Sequence, residues 1–183
     1  MQRISFIALV LCAFCITLLS ACGGNSSTST VDTTPGVDSN PTPTVLPTTA
    51  TVRISTTGTL DAGTKIGGIS VTGALPAGVS VAASADANNP SVLVATGGTV
   101  IASGVTGTSA SAFATYTAAD RKVNILVYDL NGFGIGEFVT VTCTIASGTT
   151  TTAANFGMGS FTATDLNGAA ITTLAPSFIV DLH

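Results

Sequence analysis

The 183-residue sequence has no tryptophan, a single histidine, two tyrosines and only 8% charged residues. Each shortage excludes something. The one histidine, His183, is the last residue, so a Ser-His-Asp or Cys-His arrangement would hang on the part of a chain most prone to fraying. No His and Cys residues recur at the spacing a zinc or redox-metal site needs. The nine acids, Asp32, Asp38, Asp61, Asp86, Asp120, Asp129, Glu137, Asp165 and Asp181, are scattered, and carboxylates paired for glycoside hydrolysis could meet only through the fold. A non-enzyme is expected. Without tryptophan, and with only Tyr116 and Tyr128, a flat aromatic platform for sugars is disfavoured, and the phenylalanines are assigned to the core. Cations are equally scarce. From Cys22 onward four of them face nine acids, which leaves five net negative charges, and Arg121-Lys122 is the only basic pair, so nucleic acid is not an expected partner.

What the chain does have is 45% hydrophobic residues, drawn largely from Ala, Val, Ile and Leu, with Gly, Thr and Ser filling most of the rest. This mixture suits strands and turns. The N-terminus departs from it: after Arg3, no charged residue occurs from Ile4 to Ala21, in a run carrying Phe6, Ile7, Leu9, Val10, Leu11, Phe14, Ile16, Leu18 and Leu19. The run reads as a signal peptide over residues 1–21, although it also reaches the lower limit of a bilayer span. Leu19-Ser20-Ala21-Cys22 then resembles the lipobox of bacterial lipoproteins. That resemblance implies cleavage between Ala21 and Cys22, lipid on the Cys22 sulfur, and a membrane anchor. Two or three acyl chains, at about 0.8 kcal/mol per buried methylene, would make the anchor essentially permanent. Gly23 stands where Asp would resemble an inner-membrane retention signal, so the outer membrane or cell surface is favoured. Cys12 and Cys15 form a C-x-x-C that cleavage would discard, and Cys143 is then the only free thiol, with no intramolecular disulfide to form. Its place in an alternating stretch points to a buried, unreactive side chain.

Residues 22–50 pair the lipidated cysteine with a Ser/Thr/Pro/Gly-rich linker that cannot build a core. Its prolines, Pro35, Pro41, Pro43 and Pro47, favour extension. At about 3 Å per residue its reach is on the order of 80 Å. Residues 51–183 change to period two. In Glu137 to Ile145, Val139, Val141, Cys143 and Ile145 point one way and Thr140, Thr142 and Thr144 the other, as in a half-buried strand. Val52 to Ser55, Ile69 to Leu75, Val79 to Ala82, Ser91 to Ala95, Thr99 to Ser103, Ala112 to Thr117, Val123 to Tyr128, Ser160 to Ala163 and Ser177 to Leu182 are the other strand segments. Turns are expected at Pro76 to Gly78, Asn88 to Pro90, Gly97-Gly98, Asn131-Gly132 and Asn167-Gly168. The expected fold is all-β: an antiparallel jelly-roll sandwich of about nine strands.

KVNILVYDLNGFGIGEFVTVTCTIASG followed by FGMGSFTATDLNGAAI is similar to the C-terminal half of cohesin domains, and GGISVTGALPAGVSVAA looks like their early pair of strands. The resemblance covers roughly Thr51 to Phe178. It departs at Ala74-Leu75-Pro76, where cohesins commonly carry Tyr-Asp-Pro. It implies a nine-stranded jelly roll serving as a binding module, with a dockerin-like or envelope protein as partner. The fold's likeness to carbohydrate-binding modules keeps polysaccharide as an alternative, and a structural subunit of an envelope assembly is another. Fold alone does not fix function.

Two smaller features bear on a site. Opposite Val123, Ile125 and Val127 the same strand carries Asn124, Leu126 and Tyr128, which puts a leucine and an aromatic on the side that should be wet and marks a candidate binding face. Asp129-Leu130-Asn131-Gly132 recurs as Asp165-Leu166-Asn167-Gly168. Asp129, Asn131, Asp165 and Asn167 resemble the opening ligands of a calcium loop, but neither copy continues to a distal bidentate glutamate. Asn-Gly is also the preferred centre of a two-residue hairpin turn, which is the favoured reading, with calcium the only cofactor in question.

Overall fold

The computed structural model describes residues 46–183, a two-sheet antiparallel sandwich. The expected signal peptide, the expected cleavage and lipidation site at Ala21 and Cys22, and most of the expected linker lie outside the described residues. Eleven strands follow in order: β1 Thr49–Gly58, β2 Ile66–Ala74, β3 Val79–Ser80, β4 Ala83–Ala85, β5 Leu93–Ala95, β6 Val100–Ala102, β7 Ser111–Thr117, β8 Lys122–Phe133, β9 Glu137–Ile145, β10 Gly157–Asp165 and β11 Leu174–Leu182. Among the described residues the only helical element is a 3-10 turn at Ala153–Asn155. The first strand begins at Thr49, two residues inside the segment assigned to the linker.

One sheet has the order β11-β1-β9, and the far side of β9 is shared by β3 and β6. The other runs β10-β2-β8-β7-β5-β4. Every pairing is antiparallel. The period-two pattern explains the layering, because successive side chains point to opposite faces. Ala50, Val52 and Ile54 of β1 meet Val139, Val141 and Cys143 of β9 on one wall of the core, and Ile69, Val71, Val123, Ile125 and Val127 form the other. Each Val or Ile among them, fully buried, contributes about 1.5–3 kcal/mol. Cys143 has no exposed surface, and burial pushes its thiol up to about 11, which leaves it protonated and inert at neutral pH.

The far end of the chain is tied in. The amides of Thr48 and Thr49 donate to the His183 carbonyl at 2.7 and 3.1 Å, and the His183 amide donates back to Thr49 O at 2.9 Å. The chain therefore enters and ends at one pole of the sandwich. At the opposite pole lie the end of β1 at Gly58, the start of β2, and the ends of β8 and β10.

One expected turn is not a turn. Asn131 and Gly132 lie inside β8, and the chain reverses after them, between Phe133 and Glu137. Tyr128 pairs with Gly68 and Phe133 with Ile66, so Asp129 to Gly132 bulge out opposite the single residue Gly67. The cause is local. The buried Asp129 carboxylate accepts the Asn131 amide at 2.9 Å, and Gly132 takes φ +65°, where a β-carbon would stand 2.7 Å from that of Lys65. The second Asn-Gly does form the expected turn, between Asp165 and the bridge from Thr164 to Ala170.

Candidate binding face

The two outer faces of the sandwich differ in kind. On the β11-β1-β9 sheet the outward positions are mostly Thr, with Thr51, Thr140, Thr142 and Thr144 in neighbouring rows and one exposed ion pair, Arg53 to Asp181 at 2.8 Å. Exposed pairs of this kind contribute about 1 kcal/mol or less. The exposed Ile101 and Ile179 sit singly among polar neighbours, the ordinary condition of surface apolar residues.

On the other sheet the apolar side chains are grouped. Asn124, Leu126 and Tyr128 all point outward from β8, as their parity requires. Leu126 is 48% exposed and lies between Ser70 of β2 and Phe113 of β7; Phe113 is 54% exposed and Tyr128 39%. The rings of Phe113 and Tyr128 stand parallel, 5.9 Å apart, as diagonal neighbours across the two strands. Val94 of β5 extends the patch beyond Thr115, and a shallow groove of about 490 Å³ runs along it between Asp86, Ser70 and Asn124. The Asn124 side-chain oxygen accepts the Thr72 hydroxyl at 2.9 Å, and Thr72 in turn meets Ser160 at 2.9 Å, so a polar row borders the patch.

Phe113 corrects the assignment of the phenylalanines to the core. Phe133, Phe138 and Phe156 are buried, but Phe113 is not. The signal was present in β7: with Ala112, Ala114 and Tyr116 on one parity and Phe113, Thr115 and Thr117 on the other, burial of Tyr116 turns Phe113 out. Two small alanines on the inward side hid that alternation.

The residues considered for calcium are occupied with their own loops. Asp129 is buried, its two oxygens accept the Ser109 hydroxyl at 3.0 and 3.1 Å, and the Asn131 side-chain amide donates to the same hydroxyl at 3.1 Å. Asp165 accepts the amides of Asn167 and Ala169 through one oxygen, each at 2.8 Å. The Ala169 bond is the main reason that the Asp165 carboxyl titrates below the usual aspartate value, against a smaller opposing effect of burial. Both carboxylates therefore serve as acceptors that shape the backbone, Asp129 at a bulge and Asp165 at a turn. Among the described residues no group of three or more His, Cys, Asp or Glu is placed to hold a metal ion. The His183 ring hydrogen-bonds the Thr51 hydroxyl at 3.4 Å, and Glu137 accepts the hydroxyls of Ser103 and Thr140 at 2.8 and 3.3 Å.

Compared with known proteins, the chain matches no family model, no curated protein and no solved structure.

Proposed function

We propose that this protein is a non-catalytic, cohesin-like binding module, lipid-anchored through Cys22 to the outer membrane or cell surface, that captures a protein partner on the sheet face carrying Phe113, Leu126 and Tyr128. The observation that carries the reading is the grouping of those three large apolar side chains on a face whose nearest outward neighbours are Ser70, Thr72, Ser111, Thr115 and Asn124. Burying them against a partner would release apolar surface from water, while the bordering Asn124 and Ser70 supply polar contacts at the rim. Aromatic residues at the centre of such a patch are typical anchors of protein interfaces. The parallel pair of Phe113 and Tyr128 also fits a carbohydrate-binding module. Protein leads because Leu126 in the middle of the patch is aliphatic and offers no ring to a sugar.

Leu126→Asp tests the face. Because the side chain is half exposed, the melting temperature should hold within the shift of about 0.5 kcal/mol usual for surface changes, while the partner crosslinked by the wild type in the native envelope is lost. Retained crosslinking, or transfer of the loss to soluble polysaccharide, would overturn the protein reading. The anchor is tested separately by Cys22→Ser, which should abolish palmitate labelling and leave full-length precursor, since a hydroxyl is a far poorer acceptor of the lipid than a thiol.

A further inference from the structure

The two copies of Asp-Leu-Asn-Gly, far apart in sequence, meet at one place. Both border β2 at Gly67 and Gly68, one from β8 and one from β10, and both strands shift register there. Gly67 has no room for a side chain, because a β-carbon would lie 2.6 Å from the Asp165 carbonyl oxygen. The result is a groove of about 350 Å³ lined by the two glycines, with Leu130, Leu166 and Tyr128 on its sides and Asp165 at its edge. Leu130 is 87% exposed and Leu166 49%, and neither contributes to the core. This groove sits at the pole opposite the one where the chain enters and ends.

Charge at that pole is one-sided. Asp61, Asp129, Glu137 and Asp165 gather there with Lys65 as the one cation among the described residues, whereas Arg121 and Lys122 sit in the β7–β8 turn at the other pole. Lys65 is turned to its own fold, donating to the Asn131 carbonyl at 3.2 Å. Asp165 accepts the turn's two short amide bonds through one oxygen, and its carboxylate lines the groove. An anionic membrane or a nucleic acid would be repelled by such a surface.

We infer that the groove between the two leucines takes a segment of the protein partner in which apolar side chains alternate with lysine or arginine, the apolar groups seating between Leu130 and Leu166 and a cation meeting Asp165. The inference rests on the protein-binding reading and adds the chemistry of the partner and a second contact, at the far tip of the domain.

The test uses the full chain in zwitterionic detergent, with micelles alone as blank, and a fluorescent peptide of alternating Leu and Lys read by anisotropy. A Leu/Glu peptide and a Ser/Lys peptide are controls. Tighter binding of Leu/Lys than of either control is expected, falling at least tenfold in the double variant L130S/L166S. Asp165→Asn, which keeps the turn's acceptor oxygen and removes the charge, should lower affinity several-fold and flatten its salt dependence. I179S, on the outer face of the other sheet, should leave peptide binding unchanged. Equal binding of the Leu/Glu peptide, or self-association of the chain that L130S/L166S abolishes, would overturn the inference. Loss of binding in L126D but not in L130S/L166S would also overturn it, while leaving the sheet-face reading standing.

Discussion

Asp129-Leu130-Asn131-Gly132 and Asp165-Leu166-Asn167-Gly168 are the same four residues in the same order, and they fold differently. Both begin with an aspartate that accepts the amide two residues on, at 2.9 and 2.8 Å. The first then continues as strand, its carboxylate buried against Ser109, and the second reverses the chain at the surface. The difference comes from neighbours. β8 is held by β2 on one side and, as far as Tyr128, by β7 on the other, and its pairing with β2 resumes past the motif, whereas β10 is at the edge and pairs with β2 only up to Asp165. The first copy is absorbed as a bulge because pairing resumes beyond it, at Phe133 with Ile66, while the Ser109 hydroxyl holds Asp129. The edge strand has less to hold it, and its turn goes to completion.

The contrast can be broken by paired substitutions. The largest effect is expected at the first aspartate. Asp129→Ala removes a buried carboxylate together with the bonds it accepts from the Ser109 hydroxyl and the Asn131 amide, and at the strength usual for hydrogen bonds to a charged acceptor the loss should be about 2 kcal/mol in urea unfolding. Asp165→Ala removes two amide bonds at the surface, where water replaces them, so its midpoint should move clearly less. Equal losses at the two sites would show that burial does not separate them.

A smaller pair of effects is expected at the glycines. Both hold positive φ, +65° at Gly132 and +82° at Gly168, so alanine at either is strained by roughly 1 kcal/mol. Space separates them: a β-carbon at Gly168 meets nothing within 4 Å, while at Gly132 it meets Lys65 at 2.7 Å. Gly132→Ala should therefore lower the melting temperature more than Gly168→Ala. The reverse order would place the tighter packing at the wrong copy.

Much of the sandwich was legible because burial of one face imposes period two on a strand. Val139, Val141, Cys143 and Ile145 could be assigned inward from their alternation alone, and Leu126 and Tyr128 outward by the same rule. Short strands were less legible: the expected Val79 to Ala82 stops at Ser80 as β3, and β4, Ala83–Ala85, was not expected, since two or three residues carry too little pattern to mark a boundary. Phe113 was missed because its inward neighbours are alanines, which look no more like core than their surroundings. Leu130 and Leu166 gave no signal as a pair, because nothing in their separation of 36 residues says that both flank Gly67.

By itself, then, the sequence determined the periodicity of the strands, the sidedness of β8 and the places where glycine and proline interrupt it, all of which follow from local sterics and the alternation of side chains. Only the tertiary structure decided whether pairing resumes after an Asn-Gly, and with that whether it bends as a bulge or turns back. The same pairing placed Phe113 beside Tyr128 and Leu130 across from Leu166, because proximity between distant residues is fixed by strand order and register, which period two leaves open.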